Sequence, residues 1–114
     1  MSSLSRKKCA PCAGGIKPMP QAEAESLLAQ LHGWKLSDDA HSIGREYLMK
    51  NFMAAVDLIQ GIARIAESEN HHPDIRLTDY RRLFIELSTH EIGGLSENDF
   101  ILAAKIEKLP KKLK

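Results

Sequence analysis

The residue types best suited to chemistry gather between Glu67 and Asp99. In order they are Glu67, His71-His72-Pro73, Tyr80, Ser88-Thr89-His90-Glu91 and Asp99. Three of the five histidines fall in this stretch. The imidazole titrates nearest neutral pH, so a set of histidines is suited to moving protons. No cysteine or serine placed as a nucleophile accompanies them. The chemistry indicated is acid–base catalysis without a covalent intermediate.

Each residue also has a purely structural use. A His-His-Pro run suits a helix end, where cations match the dipole and proline blocks continuation. His90 could end a strand and bond to backbone. Asp99, three residues after Ser96, fits a helix capping box. The combination favours a site: a histidine pair after a helix, a third histidine after a strand, and an acid in the next helix's first turn. Ends of elements that meet in space are where sites form.

The elements that must position these groups can be read from periodicity. A first helix is expected over Gln21–His32, entered after Pro20 and stopped by Gly33, with Ala24, Leu27, Leu28 and Leu31 on one stripe. Trp34-Lys35-Leu36 begins a strand. The next strand alternates Ile43, Arg45, Tyr47 and Met49 against Gly44, Glu46 and Leu48. Arg45 interrupts its apolar face, which suggests an edge or an interface. Asn51 is placed to cap a long helix from Phe52 to Glu69, with a stripe through Phe52, Val56, Ile59, Ala63 and Ala66, widened by Ala55, Ile62 and Ile65. A third strand carries Ile75 and Leu77, and a fourth Leu83, Ile85 and Leu87. Asp79-Tyr80-Arg81-Arg82 must hold the turn between them. The last helix uses Phe100, Leu102, Ala103, Ile106 and Leu109 and stops at Pro110. Lys111, Lys112 and Lys114 read as a solvated tail. The fold class is α+β in the order α-β-β-α-β-β-α: a four-stranded antiparallel sheet with three helices packed on one face. The opposite face must be polar, covered by a partner or open as a binding surface.

Residues 1–19 read as a flexible leader with Cys9-x-x-Cys12 and few core candidates, and residues 20–114 as a single domain. One Cys-x-x-Cys supplies two ligands where a zinc site needs four, and no strand precedes it as in a redox motif. Reduced thiols are the simplest reading. With 114 residues the chain can bury its own core, and its net charge of +1 gives no field for binding phosphate backbones. No apolar run reaches the length needed to span a bilayer. A cytoplasmic protein that binds neither nucleic acid nor membrane is expected.

The combined motif resembles the pterin-4a-carbinolamine dehydratases. The likeness rests on Glu67-x-x-x-His71-His72-Pro73, Tyr80, Ser88-Thr89-His90-Glu91 and Gly94-Leu95-Ser96-Glu97-x-Asp99, and extends upstream through Gly33-Trp34 and Lys50-Asn51-Phe52. The Cys-x-x-Cys, Gly-Gly leader is similar to that of some bacterial members. The resemblance implies a hydro-lyase that dehydrates 4a-hydroxytetrahydropterin to quinonoid dihydropterin, recycling the tetrahydrobiopterin used by aromatic amino acid hydroxylases. It implies no metal or organic cofactor, a homodimer or homotetramer, and a hydroxylase as pathway partner. By resemblance His71, His72 and His90 are the catalytic histidines, and Asp99 is a supporting acid. Glu67, Tyr80 and Thr89 take further supporting or substrate-binding positions. The span from Pro73 to Ser88 is one residue longer than in the animal enzymes, which leaves the hairpin register open. The alternatives are a non-catalytic pterin-binding module, with a molybdopterin-linked role as one form, and a dimerisation cofactor for a transcription factor.

Overall fold

The computed structural model describes residues 4–10 and 17–114. Helix α1 spans Gln21–Leu28, strand β1 Lys35–Leu36, β2 Ile43–Leu48, helix α2 Phe52–Glu69, β3 Asp74–Thr78, β4 Arg82–Leu87 and helix α3 Glu97–Glu107. The order α-β-β-α-β-β-α is the one read from periodicity. The strands form one antiparallel sheet in the spatial order β1-β2-β4-β3. Its inner face presents Ile43, Tyr47, Leu83, Ile85 and Leu87, all buried in one cluster with Ala24 of α1, Leu58 and Ile62 of α2, and Phe100, Leu102 and Ile106 of α3.

The outer face is polar. Arg76 stacks on the Phe84 ring at 4.7 Å, Arg82 pairs with Glu46 at 3.3 Å, and Ser42 donates to Glu86 at 2.8 Å. The guanidinium over Phe84 covers the one large apolar ring that strand alternation places outside.

Several local expectations are corrected. α1 stops at Leu28 rather than His32, because the chain tightens into three-residue turns, Gln30 N–H to Leu27 O and Leu31 N–H to Leu28 O. Gly33 follows at φ +78°, and a Cβ there would collide with the Arg45 guanidinium. That guanidinium donates to the His32 carbonyl and lies 4.4 Å from the Tyr47 ring centre. Arg45 therefore marks no edge: β2 sits between β1 and β4, and the arginine's charge is satisfied by backbone and ring.

α2 has the expected bounds, and the Asn51 side chain accepts from Ala54 N–H at 2.8 Å. Its buried stripe is offset from the expected one. Ala54, Ala55, Leu58, Ile62 and Ala66 face the core, whereas Phe52 is 52% exposed and Ala63 is exposed. The tail is not simply solvated. The Lys111 ammonium donates to the carbonyls of Ile106, Glu107 and Leu109 at 2.8 Å each, capping the end of α3. Leu113 bridges Met49, and Lys114 N–H donates to Leu48 O. The leader also gives the core a residue, Leu4, which is 2% exposed.

Among the described residues, no helix is long and apolar enough to cross a membrane.

Candidate active site

Three element ends meet at one corner of the sheet. The first is the C-terminus of α2. Asn70 takes the left-handed conformation, φ 53°, which asparagine tolerates at a helix C-terminus, and His71 N–H returns to Ala66 O. This reversal turns the His71 ring back toward α3. The second is the end of β4, where Thr89 N–H donates to Gly94 O at 2.7 Å and closes a loop holding a short turn, His90–Ile92. Gly94 is needed there because a Cβ would lie 2.8 Å from Pro18. The third is the N-terminus of α3, where Ser96 and Asp99 form a reciprocal capping box.

Asp99 joins all three. Its carboxyl is fully buried. Oδ1 lies 2.7 Å from His71 Nε2. Oδ2 accepts from Thr89 Oγ1 at 2.9 Å and from Ser96 N–H at 3.0 Å. The Thr89 hydroxyl is also 2.7 Å from Ser96 Oγ. Since Thr89 gives its proton to Asp99, it accepts from Ser96. A buried carboxylate is tolerated only when donors surround it, and a helix N-terminus adds favourable potential. Because a carboxylate only accepts, Nε2 of His71 must carry the shared hydrogen. In a neutral ring carrying that hydrogen, Nδ1 is the nitrogen that can take a proton.

His72 makes a separate pair, with Nε2 2.5 Å from Glu67 Oε2. Both side chains are largely exposed, 55% and 77%, against 11% and 0% for His71 and Asp99. His90 is exposed on the loop, next in the chain to Thr89. Asp99 therefore touches both His71 and Thr89, His72 adjoins His71 in the chain and pairs with Glu67, and His90 reaches the same corner through the chain. Tyr80 does not. It sits 55% exposed at the β3–β4 tip, where Asp79 and Tyr80 both have positive φ. β3 has five residues at about 3.3 Å each, so the tip lies roughly 17 Å from the histidine end of the hairpin. Thr78 pairs with Arg82, which fixes the open register with a three-residue loop over residues 79–81.

Ser96 was legible only as a cap; its bond to Thr89 shows that it also supports the acid. Among the described residues, no group of three or more His, Cys, Asp or Glu side chains could hold a metal ion. Cys12 lies outside the described residues.

The comparisons agree on one family. The sequence model of the pterin 4 alpha carbinolamine dehydratases matches residues 17–109. The chain is 46% identical over 112 residues to pterin-4-alpha-carbinolamine dehydratase 2, mitochondrial, of Arabidopsis thaliana, covering 96% of this chain and 60% of that one. It is 45% identical over 107 residues to a Halorhodospira halophila protein provisionally named for the same activity, covering 94% and 97%. A crystal structure described as a transcriptional coactivator/pterin dehydratase from Brucella melitensis superposes with a TM-score of 0.75 at 30% identity, covering 80% of this chain and 96% of that one. With a matching family model over most of its length and relatives of this similarity, the chain belongs to the pterin-4a-carbinolamine dehydratase family.

Proposed function

We propose that this protein is a cytoplasmic hydro-lyase that converts 4a-hydroxytetrahydropterin to quinonoid dihydropterin by histidine acid–base catalysis. The observation that carries the mechanism is the 2.7 Å contact between His71 and the buried Asp99.

The reaction breaks the bond between the carbinol carbon and its hydroxyl. A proton must reach the departing hydroxyl so that it leaves as water. A second must leave the adjacent ring nitrogen, whose electron pair then forms the new C=N bond. His71 and His90 flank the 4a-hydroxyl as a proton-transfer pair: His90, as the imidazolium, gives the hydroxyl its proton, and Nδ1 of neutral His71 takes the one that leaves the ring nitrogen. Asp99 holds His71 as the tautomer with Nε2–H inward and Nδ1 outward, where Nδ1 exchanges protons with the substrate. Thr89 and Ser96 fix the carboxylate. His72, exposed beside Glu67, binds and orients the pterin. Positioned acid–base groups of this kind contribute about 10²- to 10⁴-fold. Tyr80 takes no part from within its own chain, because the hairpin carries it to the opposite end of the sheet.

The test is the rate of loss of 4a-hydroxytetrahydropterin, followed by absorbance, with wild-type protein and with His71→Ala and His90→Ala. Acceleration that collapses in both variants is expected. Normal turnover by His90→Ala would remove His90 from the proton-transfer pair.

A further inference from the structure

The segment Leu4–Ala10 precedes the residues matched by the family model, and no step of the reaction uses it. It is nevertheless fastened at several points. Leu4 begins a short 3-10 turn, Leu4–Arg6, and is buried in the core together with α3. Lys7 Nζ pairs with Glu97 Oε2 at 2.7 Å. Cys9 N–H donates to Glu69 Oε1 at 2.7 Å, and Cys9 Sγ–H points at the Asn98 carbonyl at 3.6 Å. Ala10 and Asn98 form a two-point pair: Ala10 N–H donates to Asn98 Oδ1 at 2.9 Å, and Asn98 Nδ2 donates to Ala10 O at 2.6 Å.

The positions of these anchors carry the argument. Glu69 is the last residue of α2 and stands two before His71. Asn98 immediately precedes Asp99, and Glu97 opens α3. The segment thus grips the two element ends whose side chains make the histidine–carboxylate bond. Lys105 of α3 pulls on the same Glu69 at 3.5 Å. Two helix ends that only touch can slide by tenths of an ångström, and proton transfer is sensitive to such slips.

We propose that Leu4–Ala10 is a positioning strap, which ties the C-terminus of α2 to the N-terminus of α3 and so holds His71 against Asp99. The inference rests on the dehydratase reading only for its kinetic part. Glu69 and Asn98 are positioning residues; neither reaches the reacting atoms. The cysteine serves through its backbone N–H and its protonated sulfur. Burial, with the Glu69 carboxylate beside it, pushes the thiol up to about 12, which suits a weak donor and not a nucleophile.

The experiment uses the full chain with Asn98→Ala, Glu69→Ala and Glu69→Gln. Alanine is the better helix former at both sites, and loss of an acid near the end of α2 favours its dipole, so the helices themselves are not weakened. Glu69→Gln keeps an oxygen that can accept from Cys9 N–H. Two readouts are taken: kcat and KM for 4a-hydroxytetrahydropterin, and the ¹⁵N signals of the His71 ring without substrate. Both alanine variants should lower kcat about tenfold at constant KM, short of the roughly 10²-fold that a 1 Å misplacement costs. Both should also move the His71 Nε2 signal, while Glu69→Gln stays near wild type. Wild-type kcat and an unmoved His71 signal in both alanine variants would overturn the strap, whatever happens to their melting temperatures. If the wild-type protein dehydrates nothing, the functional reading fails, yet a shifted His71 signal still supports the strap. If an alanine variant does not fold, Leu4→Ala loosens the strap without substituting any residue of α2 or α3 and carries the same two readouts.

Discussion

Two histidine–carboxylate pairs stand side by side at the corner where α2 ends. His71–Asp99 spans 2.7 Å and His72–Glu67 spans 2.5 Å, so distance alone does not separate them. Their surroundings do. Asp99 is inaccessible to water and holds three donors, from His71, Thr89 and Ser96. Glu67 and His72 reach into solvent from flexible side chains, where water and salt compete for every charge. A short contact fixes a tautomer only when the partner is itself fixed. Adjacent residues on one turn thus stand in different surroundings: His71 is held by a buried acid, and His72 is paired at the surface.

This contrast can be broken in order of size. Asp99→Ala removes the acceptor shared by His71, Thr89 and Ser96 N–H. Leaving those three donors without an acceptor should cost about 3 kcal/mol or more in urea unfolding, since each buried donor left unsatisfied costs about 1–3 kcal/mol. Thr89→Val keeps the shape and deletes one donor to Asp99 and one acceptor for Ser96, so a loss of about 1–3 kcal/mol is expected by the same method. Glu67→Gln should change stability by no more than about 1 kcal/mol, and that change should shrink further in high salt. An Asp99→Ala protein as stable as Glu67→Gln would remove the distinction.

Cys9 offers a smaller and sharper check on how firmly this corner is closed. Its folded pKa is raised from 9.0 to about 12, chiefly by burial and then by Glu69. A raised folded pKa means the native state keeps the proton that the unfolded chain gives up. The contribution is whole below pH 9 and is lost as pH rises toward 12. At pH 8 alkylation of Cys9 should therefore be much slower in the folded protein than in urea. Equal rates would mean that the segment does not lie on Glu69 and Asn98.

Much of this architecture was legible because local signals agreed. Asn51 as a cap, proline and glycine at boundaries, and alternation in β2 and β4 all pointed the same way. The facing of α2 was not legible. Phe52, Met53, Ala54, Ala55, Val56, Leu58 and Ile59 wrap more than half of the helix with apolar side chains, so periodicity allowed several arcs. The sheet selected the arc through Ala55, Leu58 and Ile62, and left Phe52 outside. The end of α1 was not legible because Leu31 continues the apolar stripe past Leu28, although the turns there close on three residues rather than four.

The site divides in the same manner. Asp99 was legible as a cap, and the same carboxylate also meets a histidine. Oδ2 takes the cap's N–H, and Oδ1 takes the histidine. Tyr80 shows the opposite case. It lies between His72 and His90 in the chain, yet a hairpin sends its middle to the far end. The strap was hidden because Leu4 stands alone among polar and small residues, and a single leucine carries no period.

The most direct test of the central contrast is the turnover of Asp99→Asn beside Glu67→Gln, measured as loss of 4a-hydroxytetrahydropterin at one pH and saturating substrate. Asparagine keeps the shape of Asp99 but offers His71 the wrong partner for an inward Nε2–H whenever its amide nitrogen faces the ring. The account predicts a fall in kcat of at least about 10²-fold for Asp99→Asn, the lower end of what a positioned acid–base group contributes, with Glu67→Gln close to wild type. Equal losses in the two variants, or full activity in Asp99→Asn, would contradict it.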